Sequence, residues 1–164
     1  MENQTVVLRP ATRGDASGIS ALFQEAFREF RAHYTPAAFA ATVQSESGVL
    51  ARLGEGPVWV AERGHTLIGT VGALCEPDSV VVRGVAVHPS ARGLGVGRRL
   101  LECTELFARE CAADRLSLYT TGFLTQAIRL YQVAGFEFTG RTINPHGVEL
   151  LHMVKDLGAT TMRS

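Results

Sequence analysis

Apolar side chains along this chain recur alternately at strand spacing and at helical spacing, and each change of period marks a predicted element. The β-branched run Val6-Val7-Leu8, closed by Pro10, predicts a first strand over residues 5–9. Ile19, Leu22, Phe23, Ala26, Phe27 and Phe30 then line one face of a helix started by Thr12 and Asp15, with the carboxylate near the positive helix end. Thr35 as N-cap and Pro36 in the first helical position open a short second helix to about residue 44. Residues 45–57 are Gly-rich and read as a mobile connection. Strand-like runs at 58–62 and 67–74, joined by Arg63-Gly64-His65, form a hairpin. Pro77-Asp78 turns the chain into a strand over 80–87, where Arg83-Gly84 predicts a bulge. The strongest helical pattern covers 95–113, with Val96, Leu100, Cys103, Phe107 and Cys111 on one face. A strand at 115–120, a helix at 125–133 capped by Gly135, and strands at 136–139 and 150–156 complete the series. Residues 158–164 read as a frayed tail.

Composition narrows the class. The chain has 164 residues, 46% hydrophobic and 20% charged, the proportions of an ordinary globular protein, and 1–157 read as one domain without repeats or low-complexity tracts. Sixteen basic and 16 acidic side chains cancel, so neither a nucleic acid nor a membrane surface is an expected partner. The polar start lacks the cationic and apolar regions of a signal peptide, and no apolar run approaches the roughly 20 residues that span a bilayer. Cys75, Cys103 and Cys111 form no metal-binding spacing, and no metal is expected. Cys103 and Cys111 lie eight positions apart on one helix, about 12 Å along its axis, too far to bridge. Buried free thiols and a cytoplasmic location are the resulting expectation.

The chemistry concentrates between Val85 and Leu100. Val85-Ala86-Val87 ends a strand, His88-Pro89 leaves it, Gly93, Gly95 and Gly97 alternate through a loop, and a helix begins with Arg98-Arg99. First-turn N–H groups have no intrahelical acceptor and carry the positive end of the helix dipole, and glycine lets an anion approach the backbone. Arg92, Arg98 and Arg99 add positive charge at that end, where arginine is unfavourable unless an anion sits nearby.

Arg92, Gly95 and Gly97 fill the Gln/Arg-x-x-Gly-x-Gly/Ala pattern, so the stretch resembles the acyl-CoA-binding motif of the GNAT superfamily of N-acetyltransferases. Ala127-Ile128-Arg129-Leu130-Tyr131-Gln132-Val133-Ala134-Gly135-Phe136 resembles the family's Ala-x-x-Leu-Tyr-x-x-x-Gly-Phe segment. These motifs cover about the C-terminal half; the N-terminal half matches in element order and in Leu8-Arg9-Pro10-Ala11. The resemblance implies an α/β (α+β) acyl-CoA N-acyltransferase fold, a mixed sheet of about seven strands flanked by about four helices. It implies acetyl-CoA as acyl donor, held by Val85, Ala86 and Val87 on the strand and by Arg92, Gly93, Leu94, Gly95, Val96, Gly97 and Arg98 in the loop and helix start. Transfer to a small-molecule or peptide amine would be direct, with Tyr131 as general acid to the CoA thiolate.

Two departures accompany the resemblance. Many members carry a glutamate on the strand before the cofactor loop, yet Val80-Val81-Val82-Arg83-Gly84-Val85 has no carboxylate. Glu76, Asp78, His88, His146 or ordered water are then the candidates to take the amine's proton. Leu124 stands where relatives often have asparagine, leaving Thr125 or Gln126 to replace its contact. The acceptor pocket is expected among Phe27, Tyr34, Phe123, His146 and Glu149, without an acidic patch for a polycation. A non-catalytic acyl-CoA-binding or sensing domain is the alternative function. A dinucleotide-binding fold would need G-x-G-x-x-G after the first strand, whereas this glycine series lies mid-chain as G-x-G-x-G. Edge strands of a small open sheet offer a route to a homodimer.

Overall fold

The computed structural model describes residues 5–158. Seven strands form one mixed sheet: β1 (Val6–Pro10), β2 (Val58–Arg63), β3 (Thr66–Cys75), β4 (Ser79–Val87), β5 (Arg115–Thr121), β6 (Glu137–Ile143) and β7 (Leu150–Asp156). Their spatial order is β1-β2-β3-β4-β5-β7-β6; β4 and β5 pair in parallel and every other pair is antiparallel. Five α-helices flank the sheet: α1 (Ala16–Phe27), α2 (Pro36–Thr42), α3 (Glu46–Glu55), α4 (Val96–Glu110) and α5 (Thr125–Val133). One core joins α1 and α3 to the sheet through Ile19, Phe23, Val49 and Val60, and another joins α4 and α5 to it through Val71, Leu100, Tyr131 and Met153. No helix among the described residues is long and apolar enough to cross a membrane.

The expected mobile connection at 45–57 is instead largely α3, so five α-helices replace the expected four or so. Ser45 caps α3 by accepting from the Gly48 N–H at 3.2 Å, and Val49, Leu50 and Leu53 pack against the α1 side of the core. Tertiary packing outweighs the poor helix propensity of Gly48 and Gly54. Gly56 then lets the chain pass close to β3: a Cβ there would lie 2.2 Å from the Ala73 carbonyl oxygen. Gly56→Ala is therefore expected to destabilise the protein by about 2 kcal/mol, an overpacking cost. Thermal unfolding checks this; an unchanged midpoint would mean that the connection shifts freely.

Other boundaries also move. The first helix ends at Phe27 and continues as a 3-10 turn over Arg28–His33, which places Phe30 off the α1 stripe. Strand β6 runs past the expected end at 139 because Gly140, at φ +86°, accommodates a bulge between Phe138 and Thr142 rather than ending the strand. The buried face of α4 is Val96, Gly97, Leu100, Leu101, Thr104 and Ala108. Thr104 is buried because its hydroxyl donates to the Leu101 carbonyl at 2.6 Å, while Phe107 sits at the flank against Trp59. That rotation leaves Cys103 and Cys111 half-buried, and Cys75 is exposed, so the expectation of buried thiols does not hold. Burial and the adjacent Cys75 thiol push the Cys111 thiol up. Of the expected frayed tail only Gly158 is described, with its N–H donating to Asp156 at 2.9 Å; residues 159–164 lie outside the described residues.

Candidate active site

The predicted bulge at Gly84 governs the site. Gly84 has φ +65°, and pairing jumps from Gly72–Arg83 to Thr70–Ala86, so Gly84 and Val85 together face Val71. Such a bulge bends its strand. On the opposite edge β4 pairs with β5 only from Ser79 to Val81, against Arg115 to Ser117. Beyond that point the strands part, and among the described residues the β4 backbone from Val82 to Val87 has no strand partner on this side. Two cavities, of about 350 and 340 Å³, flank this opening and share Phe27, Val85, Leu124 and Tyr131.

The first cavity runs from Val85, Ala86 and Val87 past Arg92, Gly93 and Gly95 to Val96, Gly97 and Arg98. It thus gathers the predicted cofactor residues except Leu94, which is 52% exposed and whose N–H donates to the Ala91 carbonyl at 3.4 Å. Gly93 and Gly95 have φ of +81° and +75°, with nothing within 4 Å of a would-be Cβ, so backbone conformation rather than crowding requires glycine there. Gly95 caps α4, whose first-turn N–H groups open towards the groove. Arg92 pairs with Glu29, and the Arg98 guanidinium lies 3.6 Å from Glu102. Arg99 departs from the expected cluster: it reaches away to donate to the Val6 carbonyl at 3.1 Å. Gln126 lines this cavity beside Leu124, whereas Thr125 does not.

Tyr131 is delivered to the junction by α5. The Phe136 N–H donates to the Tyr131 carbonyl at 2.9 Å and the Gly135 N–H to Gln132 at 3.0 Å, a Schellman closure that Gly135 permits at φ +104°. Gly97 lets α4 approach α5, since a Cβ there would lie 2.7 Å from Leu130 Cδ2. Tyr131 is 6% exposed, its ring packs edge-on to Phe136, and its hydroxyl has no hydrogen-bond partner among the described residues. Burial, reinforced by nearby Tyr34, pushes its phenol far above the ordinary value.

The second cavity holds Phe27, Tyr34 and His146 of the expected acceptor residues. Phe123 stands behind its wall, packed on His33 and Tyr34 with ring centroids 5.0 and 4.9 Å away, and Glu149 is exposed outside. Burial pushes the Tyr34 phenol up, opposed by the hydroxyls of Thr121 and Thr42 that it faces. Thr121 Oγ1 has no contact short enough for a hydrogen bond, and among the described residues it is the buried side-chain polar atom left without a partner. Of the four side chains considered as bases, His146 alone reaches a cavity. His88 accepts from the Ser90 N–H at 3.1 Å as a cap, and Glu76 and Asp78 belong to the β3–β4 turn at the far end of β4. Among the described residues no carboxylate lines either cavity. Arg52, Arg83 and Thr121 line the second cavity although their sequence context carries no such signal; Arg52 lies in the segment read as a connection.

Residues 54–138 match the family model described as an acetyltransferase (GNAT) domain. A probable N-acetyltransferase family 8 member 5 from Mus musculus is 34% identical over 92 residues, 52% of this chain and 40% of that relative. The chain thus spans less than half the length of that relative. A ribosomal-protein-alanine N-acetyltransferase from Brucella melitensis superimposes with a TM-score of 0.71 at 27% identity, covering 92% of this chain and 99% of that one. A PaiA N-acetyltransferase from Thermoplasma acidophilum, solved in complex with coenzyme A, shares the fold with a TM-score of 0.77 at 15% identity, covering 93% and 99% of the two chains.

Proposed function

The chain belongs to the GNAT acetyltransferase family, and from that premise we propose that it transfers an acetyl group from acetyl-CoA to a primary amine. The observation that carries this reading is the junction: an N–H-lined groove and a separate cavity meet at Val85 and Tyr131. The groove suits the donor. Its glycine loop and helix start offer N–H groups to a pyrophosphate, and the unpaired edge of β4 offers main chain to an extended pantetheine arm. When bound, acetyl-CoA supplies a thioester carbon to which an uncharged amine forms a C–N bond as the C–S bond breaks, one amine proton leaves, and the sulfur accepts a proton.

The protein's part is binding and proton placement. Tyr131 holds its phenolic proton across the physiological range because burial opposes ionisation, and it faces both cavities. In this reading it acts as the general acid. Among the described residues no carboxylate lines the second cavity, so in this reading the amine's proton passes to water or to His146. A single domain over 1–157, a cytoplasmic location and pairing through edge strand β1 or β6 belong to the same proposal.

Calorimetric titration with acetyl-CoA and with NAD, followed by thiol release across an amine panel, tests the reading. Binding of acetyl-CoA alone with turnover supports it. Saturable binding without turnover would favour the acyl-CoA sensing role, and binding of NAD alone would reject both. The Glu29 contact adds a quantitative check, because Arg92 must exchange that carboxylate for phosphate. Glu29→Gln is expected to tighten acetyl-CoA binding about two- to fivefold, the scale of a surface ion pair. Weaker binding in that variant would mean that Glu29 orients Arg92 instead of competing for it.

A further inference from the structure

The second cavity has a charge pattern that the acetyltransferase reading leaves unused. Arg52, from α3, is half-buried and has neither a hydrogen bond nor an ion pair from its guanidinium to any described residue. Its Nη1 occupies the space beside Gly84, 2.5 Å from where a Cβ would stand, and the Phe23 ring edge lies 3.3 Å from the same point. A side chain at residue 84 would displace it, so the glycine that makes the bulge also admits the guanidinium. Arg83, the neighbouring cation, is already paired with Glu55 at 3.2 Å. Burial, and then Arg83, make the charged form of Arg52 harder to hold than that of a free arginine, and Glu55, shared with Arg83, offsets only part of this. A cation so placed gains from an anionic partner.

We infer that Arg52 is the carboxylate-binding residue of the acceptor site, and that the acceptor is an α-amino acid with an apolar side chain. The inference rests on the acetyl-transfer reading above. Val85, the residue after Gly84, belongs to both cavities, so a carboxylate on Arg52 places an amine only a few ångströms away near the junction. That short span fits an α-amino acid and excludes a long diamine, whose second cation would meet Arg52 and Arg83. Phe23, Val82, Leu118, Val148 and Leu150 give the rest of the cavity an apolar wall for the side chain. Pairing with Arg52 also cancels the pull of the carboxylate on the ammonium form. The uncharged nucleophile is thereby favoured in a cavity that no carboxylate among the described residues lines.

The test compares phenylalanine, phenylalaninamide and 2-phenylethylamine as acceptors at saturating acetyl-CoA. Phenylalanine is expected to exceed the other two in kcat/KM by about tenfold or more, the low end for a hydrogen bond to a charged group. In Arg52→Met this preference collapses towards one, chiefly through KM for phenylalanine, and Arg52→Lys restores part of it. Equal rates for the three acceptors in the unmutated protein, which need no variant to fold, would overturn the inference. So would an Arg52→Met variant that slows all three alike. If acetyl-CoA binds but no amine is acetylated, the transferase reading has failed. The subsite is then judged by calorimetric titration of the CoA-saturated protein with phenylalanine and N-acetylphenylalanine. Saturable binding that Arg52→Met removes upholds it, and no binding rejects it.

Discussion

Gly95→Glu is expected to weaken acetyl-CoA binding by about 10²-fold, measured by calorimetry. Gly95 holds φ +75° as the cap of α4, and open space surrounds its would-be Cβ, so no clash is involved. Two other effects act. Left-handed backbone costs a non-glycine residue about 1–2 kcal/mol, so the loop either bears that cost or leaves the conformation that points its N–H groups into the groove. The new carboxylate also competes for the positive helix end, an effect of up to about 2 kcal/mol. Together they amount to about 1–4 kcal/mol, and the middle of that range is roughly 10²-fold in affinity. Gly95→Ala separates them: it retains the backbone penalty without the charge and is expected to lose about tenfold. Unaltered binding in both variants would place the donor elsewhere and remove the basis for assigning Arg92, Gly93 and Arg98 to it.

The contrast between Gly95 and Arg52 shows which parts of the site can be read from sequence. The anion loop is local: strand, glycines and helix start follow one another over a few residues, and the backbone conformations that they need are written in the glycines. The Gly84 bulge and the Gly135 closure were legible for the same reason. The second cavity is non-local. It draws Phe23 from α1, Arg52 from α3, Leu118 from β5 and His146 from the β6–β7 connection, and no spacing rule links these positions. Residues 45–57 concealed α3 because Gly48 and Gly54 lower its intrinsic propensity, while the packing of Val49, Leu50 and Leu53 that restores it is tertiary. A similar limit displaced the buried stripe of α4. Thr104 becomes a core residue only when its hydroxyl finds the Leu101 carbonyl, a hydrogen bond invisible to a hydrophobicity pattern.

For Tyr131→Phe the expected result is a fall in kcat of about 10²-fold at saturating substrates, with no loss of thermal stability. The second half of that expectation makes the first informative. A buried phenol that bonded to the protein would cost stability when its hydroxyl was removed, and any loss of activity would be ambiguous. Here the Tyr131 hydroxyl has no partner among the described residues, so phenylalanine keeps the edge-on contact with Phe136 and leaves no protein group unsatisfied. The hydroxyl opens onto the cavities, so its removal loses no hydrogen bond within the protein and the melting temperature stays level. The pH dependence adds a second criterion. Because burial raises the phenol, the protonated form persists as pH rises through the range where an ordinary tyrosine ionises, and kcat shows no falling limb from this group below about pH 10. A falling limb near pH 8 that disappears in Tyr131→Phe would contradict the buried, proton-holding tyrosine. An unchanged kcat would instead leave proton delivery to solvent and reduce Tyr131 to a wall between the two cavities.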